Sequence, residues 1–475
     1  MAIQVDVAIL GGGPGGYTAA IRAAQQGKSV AIVEMDKVGG TCLHRGCIPS
    51  KALLRSAEVY RTILTAADYG VELQADVSGF QFSSVQRVKQ DKVTQLYKGL
   101  QGLMKRNGIQ MIKGKARVIG PSIFSPRSGA LAVELENGDM ESVVGQQLII
   151  ATGSRPRNIA GLEPDGIRIL SSDHALELDK LPDSMLIVGG GVIGVEWASL
   201  LHDFGVKVTI VELGARLLPG EDAEISLEMT RQLTKRGIRV LTSVQLEVDS
   251  FVATDQGFTI SAQTAEGKVV LESSQMLVSI GRIANCDDIG LENTDVRIKN
   301  GVIAVNDFGQ TSEPHIYAIG DVIGGVQLAH AAAHEGIIAA DHICGKSVIP
   351  VAHHQIPRCI YSFPEIASYG YTEAAAIAAG YELKKAKVPF AAVGKAVVSG
   401  HTEGFVKVIA DKATDDILGV HIIGEHATEL ISEAALSGWL NAAPWEVGAM
   451  VHPHPALSEA IAEAMLGVDG RSISL

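Results

Sequence analysis

The sequence predicts an α/β fold in which two parallel-sheet modules recur along one chain. Three observations carry that expectation. An apolar strand runs straight into a glycine-rich turn near the N-terminus. The same arrangement returns near residue 185. Around both copies, β-rich runs alternate with Ala-rich helical stretches, as parallel sheets with crossover helices require.

The first copy reads Val7-Ala8-Ile9-Leu10 into Gly11-Gly12-Gly13-Pro14-Gly15-Gly16, and the second reads Met185-Leu186-Ile187-Val188 into Gly189-Gly190-Gly191-Val192-Ile193-Gly194. Each is a Gly-x-Gly-x-x-Gly turn, with Gly11, Gly13 and Gly16 in one and Gly189, Gly191 and Gly194 in the other. The first glycine of such a turn closes it tightly, the second lets the backbone approach a pyrophosphate, and the third lets the helix pack on the strand. The helix N-terminus then offers unpaired N–H groups and the positive end of its dipole to the phosphates. A second β-rich run ends in Glu34 in one copy and Glu212 in the other, at the same offset from the first glycine. A carboxylate there suits the two hydroxyls of an adenosine ribose. One such turn alone is weak evidence, but two in matching context predict two bound dinucleotides. Glu212 would repel a 2′-phosphate, so the second site should prefer NAD to NADP, although Lys207 and Arg216 flank it.

Length and composition set the frame. A chain of 475 residues exceeds a single hydrophobic core and implies roughly three or four domains. Apolar residues at 47% and charged residues at 20% describe an ordinary globular protein. A net charge of −13, with no basic stripe, argues against a nucleic-acid surface. No apolar run approaches the roughly 18 residues of a membrane span, and the first strand starts too close to Met1 for a leader. Five scattered cysteines do not form a secreted disulfide framework. These features predict a cytoplasmic protein, or an organelle-matrix one if a transit peptide has been removed.

Within that setting one cysteine pair stands out, in Gly39-Gly40-Thr41-Cys42-Leu43-His44-Arg45-Gly46-Cys47-Ile48-Pro49-Ser50-Lys51. The run from Ile48 reads as a helix start with Pro in its first turn, which places Cys47 near a helix N-terminus, where the dipole favours thiolate. The flanking glycines permit the backbone of so short a loop. A structural disulfide fits an intracellular chain poorly, and a zinc site would want a second ligand pair, for which His44 is the nearest candidate. A redox-active pair is the favoured reading. Cys286, Cys344 and Cys359 are isolated and read as small buried hydrophobes. Thiol exchange needs a base, and Val451-His452-Pro453-His454-Pro455-Ala456-Leu457-Ser458-Glu459 offers two histidines and an orienting carboxylate.

These residues resemble the class I pyridine nucleotide-disulfide oxidoreductases. The Cys42–Cys47 segment is similar to that family's redox signature, Ala151-Thr152-Gly153-Ser154 to its second flavin motif, Ile280-Gly281-Arg282-Ile283-Ala284-Asn285 to its Gly-Arg-x-x-Asn segment, and Tyr317-Ala318-Ile319-Gly320-Asp321 to its third flavin motif. The resemblance covers nearly the whole chain. It implies two Rossmann-like domains, for FAD over residues 1–153 and for NAD over 154–279, a central domain over 280–350 and an α+β interface domain over 351–475. Within the family the lipoamide-oxidising branch fits best: Glu212 points to NAD, the chain ends Arg471-Ser472-Ile473-Ser474-Leu475 without the cysteine pair of a mercuric reductase, and both loop cysteines are present, unlike the soluble transhydrogenases.

By position the resemblance makes Cys42 the interchange thiol, Cys47 the flavin-side thiol, His454 the base, Glu459 its orienting group and His452 its support. Lys51 and Glu196 would pair near the reactive flavin nitrogen. Thr41, Lys51, Thr152, Gly153, Gly281, Arg282 and Asp321 join the two glycine motifs, Glu34 and Glu212 in holding FAD and NAD, with Asp321 on the ribityl chain; no metal is implied. The implied partners are a second copy of the chain, whose flavin site His454 would complete, together with the lipoyl domains and dihydrolipoyl acyltransferase core of a 2-oxo acid dehydrogenase complex or the glycine cleavage system. Neither nucleic acid nor membrane is among them. Other readings are an NADPH-linked glutathione-type disulfide reductase and a non-catalytic flavin-binding regulatory protein. Two departures from the family pattern are His44-Arg45 inside the redox loop, where a guanidinium near Cys47 would stabilise thiolate further, and Ala456 in place of a common Thr.

Overall fold

The computed structural model describes residues 2–73, 79–121 and 127–473. It sets both glycine motifs between a strand and a helix, as their sequences demand. Strand Ile3–Leu10 leads into helix Pro14–Gln25, and strand Ser184–Val188 into helix Val192–Asp203. The chain divides into two units, one made of Met1–Leu53, Ser83–Arg157 and Arg282–His353, the other of Leu54–Phe82, Asn158–Gly281 and His354–Leu475.

In the first unit, strand Ile3–Leu10 lies at the centre of a parallel sheet. It pairs with Val30–Glu34 on one side and Met140–Ile150 on the other. Gln110–Ile119 and Ile316–Ala318 extend the sheet outward. Two of these strands outrun the parallel region, and Ala130–Leu135 bridges their far ends antiparallel. The apolar run of the central strand follows from burial on both faces. Because side chains alternate, Ala8 and Leu10 enter one core with Val33, Leu148 and Ile150, while Val7 and Ile9 enter another with Ile32, Ile149 and the helical alanines Ala19, Ala20, Ala339 and Ala340. Cys286 is buried in the first of these cores. Cys344 and Cys359 are only half-buried, less than expected for small core residues.

The second unit holds the second parallel sheet, ordered Arg239–Leu241, Lys207–Val211, Ser184–Val188, Gln275–Val278 and Ile169–Leu170. It also holds an antiparallel meander, Gln245–Thr254, Gly257–Thr264 and Gly267–Ser273. A five-stranded antiparallel sheet is built from the C-terminal segment. There the apolar run at Phe405 becomes the wholly buried strand Phe405–Asp411, and the stretch from Ala427 becomes helix Ala427–Trp439.

One residue of that buried strand is charged. Lys407 is 2% exposed and its ammonium lies 2.9 Å from Asp222, 2.9 Å from Glu224 and 2.7 Å from Glu373. Asp222 also caps helix Ala223–Arg236, accepting from the Glu224 N–H, and takes the Glu373 N–H at 3.0 Å. Burial opposes ionisation of Asp222, but the Glu373 N–H and Lys407 outweigh it and hold its carboxyl below the ordinary range. Lys387 and Lys407 do the same for Glu224, and Lys385 and Lys407 for Glu373. A buried cation with three carboxylates is tolerated only because every partner is present; removing it leaves uncompensated negative charge.

Depressed carboxylates contribute stability that is fully present above their unfolded value, about pH 4, and lost as pH falls through the folded value. We therefore expect Lys407→Met to lower unfolding stability at pH 7 by about 3 kcal/mol or more, and to flatten the loss of stability below about pH 4. Urea unfolding midpoints across pH check both.

Candidate active site

The two glycine turns are the same object built twice. Gly11 and Gly189 have φ of 104° and 107°, and a Cβ on either would meet a carbonyl oxygen, that of Ala151 at 2.3 Å or of Ser279 at 2.5 Å. A Cβ on Gly16 or Gly194 would stand 2.0 Å from the carbonyl oxygen of Gly11 or Gly189, so these glycines are where helix meets strand. Gly13 and Gly191 are different: a Cβ there would touch nothing within 4 Å. They are also the N-caps of their helices, and neither has a side-chain cap bond. Open space, bare helix N–H groups and a dipole end together form an anion cradle.

Each cradle has its carboxylate in place. Glu34 accepts the Gly12 N–H at 2.6 Å and the Asp36 N–H at 2.9 Å; Glu212 accepts the Gly190 and Gly214 N–H groups, both at 2.6 Å. Of the two cations flanking Glu212, Arg216 donates to the Pro219 carbonyl and the Ser226 hydroxyl, and Lys207 opens the strand with its side chain exposed. The residues present fit an adenine dinucleotide at each turn.

The redox loop is fastened to the first turn. The Gly39 N–H donates to the Gly12 carbonyl at 2.7 Å, and a Cβ on Gly40, whose φ is 56°, would come 2.7 Å from the Gly13 Cα. Cys42 is the third residue of the short helix Gly40–Arg45, and Cys47 is the first residue of helix Cys47–Leu64, one position earlier than the start read at Ile48. The thiol of Cys42 hydrogen-bonds Cys47; that bond, then burial, push its pKa up, and Lys51 one turn along the second helix opposes them. Arg45 is ion-paired within this segment. Its guanidinium lies 3.2 Å from Asp36, while His44 bonds the Val38 carbonyl and packs edge-on against Tyr97. Tyr17, directly after the third glycine, was missed by sequence reasoning; burial, then charge on Cys42 and Cys47, push its hydroxyl up.

The motifs around Thr152, Arg282 and Asp321 converge. Strand Ser154–Pro156 pairs antiparallel with Arg282–Ala284. The Thr152 hydroxyl donates to the Asn285 carbonyl, the Asn285 side chain to the Thr152 carbonyl, and the Asn285 N–H to the Gly153 carbonyl, each at 2.9 Å. Ser154 donates to Asp321 at 2.5 Å, and Arg282 donates to the Ser154 hydroxyl and carbonyl, both at 2.7 Å.

In the second unit, the His454 Nδ1 lies 2.9 Å from the Glu459 carboxylate, and the ring is 78% exposed. Glu459 also accepts the Ala456 N–H at 2.9 Å; this bond, then His454, holds its carboxyl below the ordinary range. His452, by contrast, is 4% exposed and locked between Glu433 at 2.7 Å and the Met450 carbonyl. Glu196, 6% exposed on helix Val192–Asp203, accepts the Tyr361 N–H at 2.9 Å. Lys51 and Glu196 belong to different units. Among the described residues no group of His, Cys, Asp or Glu is placed to hold a metal, and no helix is long and apolar enough to cross a membrane.

Two dinucleotide cradles, a thiol pair against one of them and a carboxylate-held histidine define a flavin- and nicotinamide-dependent disulfide oxidoreductase, and the chain belongs to the pyridine nucleotide-disulphide oxidoreductase family, whose model matches residues 5–336. Residues 356–465 match that family's dimerisation domain, which supports a homodimer. At full length the chain is 56% identical over 474 residues to a protein named dihydrolipoyl dehydrogenase from Bacillus subtilis, with all of both chains covered. It is 40% identical over 475 residues to one of the same name from Zymomonas mobilis, again with full coverage of both. In structure it is similar to LpdA from Mycobacterium tuberculosis, at a TM-score of 0.89 and 27% identity, covering 98% of this chain and 100% of that one. Members of this enzyme family use FAD and NAD(H).

The open and closed glycines make separable predictions. Gly191→Val puts a side chain into the open cradle, so the protein should fold with its flavin while KM for NAD rises at least about tenfold. Gly194→Ala drives a methyl into the Gly189 carbonyl, so it should lower the melting temperature instead. Steady-state kinetics beside thermal unfolding separates them.

Proposed function

We propose that this chain oxidises protein-bound dihydrolipoamide to lipoamide, with NAD+ as the final acceptor. The observation that carries the proposal is the Cys42–Cys47 pair, hydrogen-bonded across a helix junction and fastened by Gly39 and Gly40 to the first dinucleotide turn. The full-length relatives named dihydrolipoyl dehydrogenase support the choice of substrate.

The enzyme's own residues account for the exchange chemistry. With the pair oxidised, His454 Nε2 of a partner subunit takes a proton from one substrate thiol, and Glu459 steadies the ring as it becomes charged. The substrate thiolate attacks the Cys42 sulfur, a substrate–Cys42 disulfide forms, and Cys47 leaves as thiolate. The second substrate thiol attacks that mixed disulfide, closing lipoamide and releasing Cys42, which recovers a proton. Lys51, four residues after Cys47, supplies positive charge beside the pair. FAD held by Gly11, Gly13, Gly16, Glu34, Thr41, Thr152, Gly153 and Asp321 would supply the two-electron acceptor, and NAD+ held by Gly189, Gly191, Gly194 and Glu212 would supply the hydride acceptor; Gly281 and Arg282 join the cofactor-binding residues.

We place the enzyme in the cytoplasm, as a homodimer serving lipoyl domains on an acyltransferase core. The domain division in this reading is FAD over 1–153, NAD over 154–279, central over 280–350 and interface over 351–475. An NADPH-linked glutathione reductase would share every motif but Glu212, and a flavin-binding regulator would not need Cys42, Cys47, His454 and Glu459 together.

Purified, FAD-loaded protein should form NADH rapidly from dihydrolipoamide and NAD+, and should not reduce oxidised glutathione with NADPH; the reverse pattern overturns the proposal. Cys42→Ser should abolish lipoamide turnover while keeping a long-wavelength thiolate–flavin absorbance, because Cys47 remains. His454→Gln should slow dithiol oxidation by about 10²- to 10⁴-fold and spare NADH-driven dye reduction; equal loss of both would exclude a base role.

A further inference from the structure

Helix Ala329–Ile343 carries a carboxyl that neither the motifs nor the exchange chemistry uses. The Gly320 N–H donates to Glu335 Oε2 at 2.7 Å, and Gly320 opens the one-turn helix Gly320–Ile323, which bears Asp321. Gly320 has a φ of 72°, and a Cβ on it would stand 3.1 Å from the Ala332 Cβ of the same long helix. The turn that presents Asp321 is thus seated on one face of helix Ala329–Ile343, and no side chain of its own caps it.

The seat is itself tied to the first glycine motif. A Cβ on Gly336, the residue after Glu335, would lie 2.6 Å from the Gly15 carbonyl oxygen and 3.2 Å from the Ala19 nitrogen, and a Cβ on Gly15 would lie 3.1 Å from the Ala332 carbonyl oxygen. The two helices meet backbone to backbone there, with the Ile319 side chain against Gly15, and Arg22 of one donates to Asp341 of the other at 2.7 Å through two nitrogens. Consecutive residues of one helix, Glu335 and Gly336, therefore hold the Gly320–Asp321 turn and the helix after Gly11–Gly16 in a fixed relation. Burial raises the Glu335 carboxyl, its bond to Gly320 opposes that, and His353 and Asp321 act on it with opposite sign.

We infer that Glu335 is a positioning residue for FAD: its carboxyl oxygen sets the Gly320–Asp321 turn against the first glycine motif, so that the two grips on one flavin nucleotide are held in register. The inference rests on the reading of this unit as the FAD site. An acceptor, and not a charge, is what the geometry requires. Glu335→Gln keeps an oxygen at the same reach. Glu335→Met keeps the bulk, fits a half-buried helix position and removes the acceptor.

The test is FAD dissociation, followed by flavin fluorescence after dilution, together with the visible absorbance of bound flavin and the melting temperature of the apoprotein. Losing one hydrogen bond to a charged or polarised group corresponds to roughly 10- to 100-fold weaker FAD binding in Glu335→Met, with altered fine structure in the flavin band. Glu335→Gln should stay within about threefold of the parent and keep its spectrum. If Glu335→Met lowers the apoprotein's melting temperature but releases FAD at the parent rate with the parent spectrum, Glu335 is only a brace and the inference is overturned. Weakening by Gln equal to that by Met overturns it too. Failure of the parent chain to bind FAD would instead overturn the functional reading itself.

Discussion

Backbone touching backbone is the constraint on which the rest of this molecule depends. At the first turn, helix Pro14–Gln25 approaches strand Ile3–Leu10 so closely that Gly16 leaves no room for a methyl beside the Gly11 carbonyl. The redox loop approaches the same turn through Gly40 and Gly13, and the long helix Ala329–Ile343 through Gly336 and Gly15. The loop's own helix and two separate stretches of chain thus meet it at glycines. A methyl at any of these contacts would force a shift of backbone, which packed interiors resist. The same closeness serves chemistry, since amide dipoles act strongly only over short range.

Around that loop, charge is arranged by position. The carboxylates of Glu34 and Glu212 are each held by two backbone N–H groups, which fixes the direction in which they point. In the thiol pair, Cys42 is hydrogen-bonded to Cys47 with the positive charge of Lys51 beside it, and positive charge favours the thiolate that exchange chemistry needs. His454 and His452 show a similar division of labour. One is exposed with a free nitrogen, the other is buried and fully engaged, although two positions separate them in the chain.

The second unit solves a different problem. Its parallel module and its C-terminal antiparallel sheet both contribute to the Lys407 cluster, where a helix cap, Asp222, doubles as an ion-pair partner. Buried ion pairs are weak sources of net stability but are strict about geometry. The cluster therefore fixes how helix Ala223–Arg236 meets strand Phe405–Asp411 more than how tightly.

By itself the sequence determined what depends on local spacing. Both Gly-x-Gly-x-x-Gly turns, their terminal Glu residues, the helix that starts beside Cys47 and the short reach from His454 to Glu459 are set within a few dozen residues, and each was legible because glycine, proline and carboxylate have few alternative uses at such offsets. Only the tertiary structure decided what spans long separations. The locking of Thr152 to Asn285, the carboxylates of Asp222 and Glu224 gathered on Lys407 and the seat of Gly336 on Gly15 join residues far apart in the chain whose pairing no local spacing marks. Their partners are chosen by how sheets and helices stack, and one sequence read residue by residue contains no distance between them.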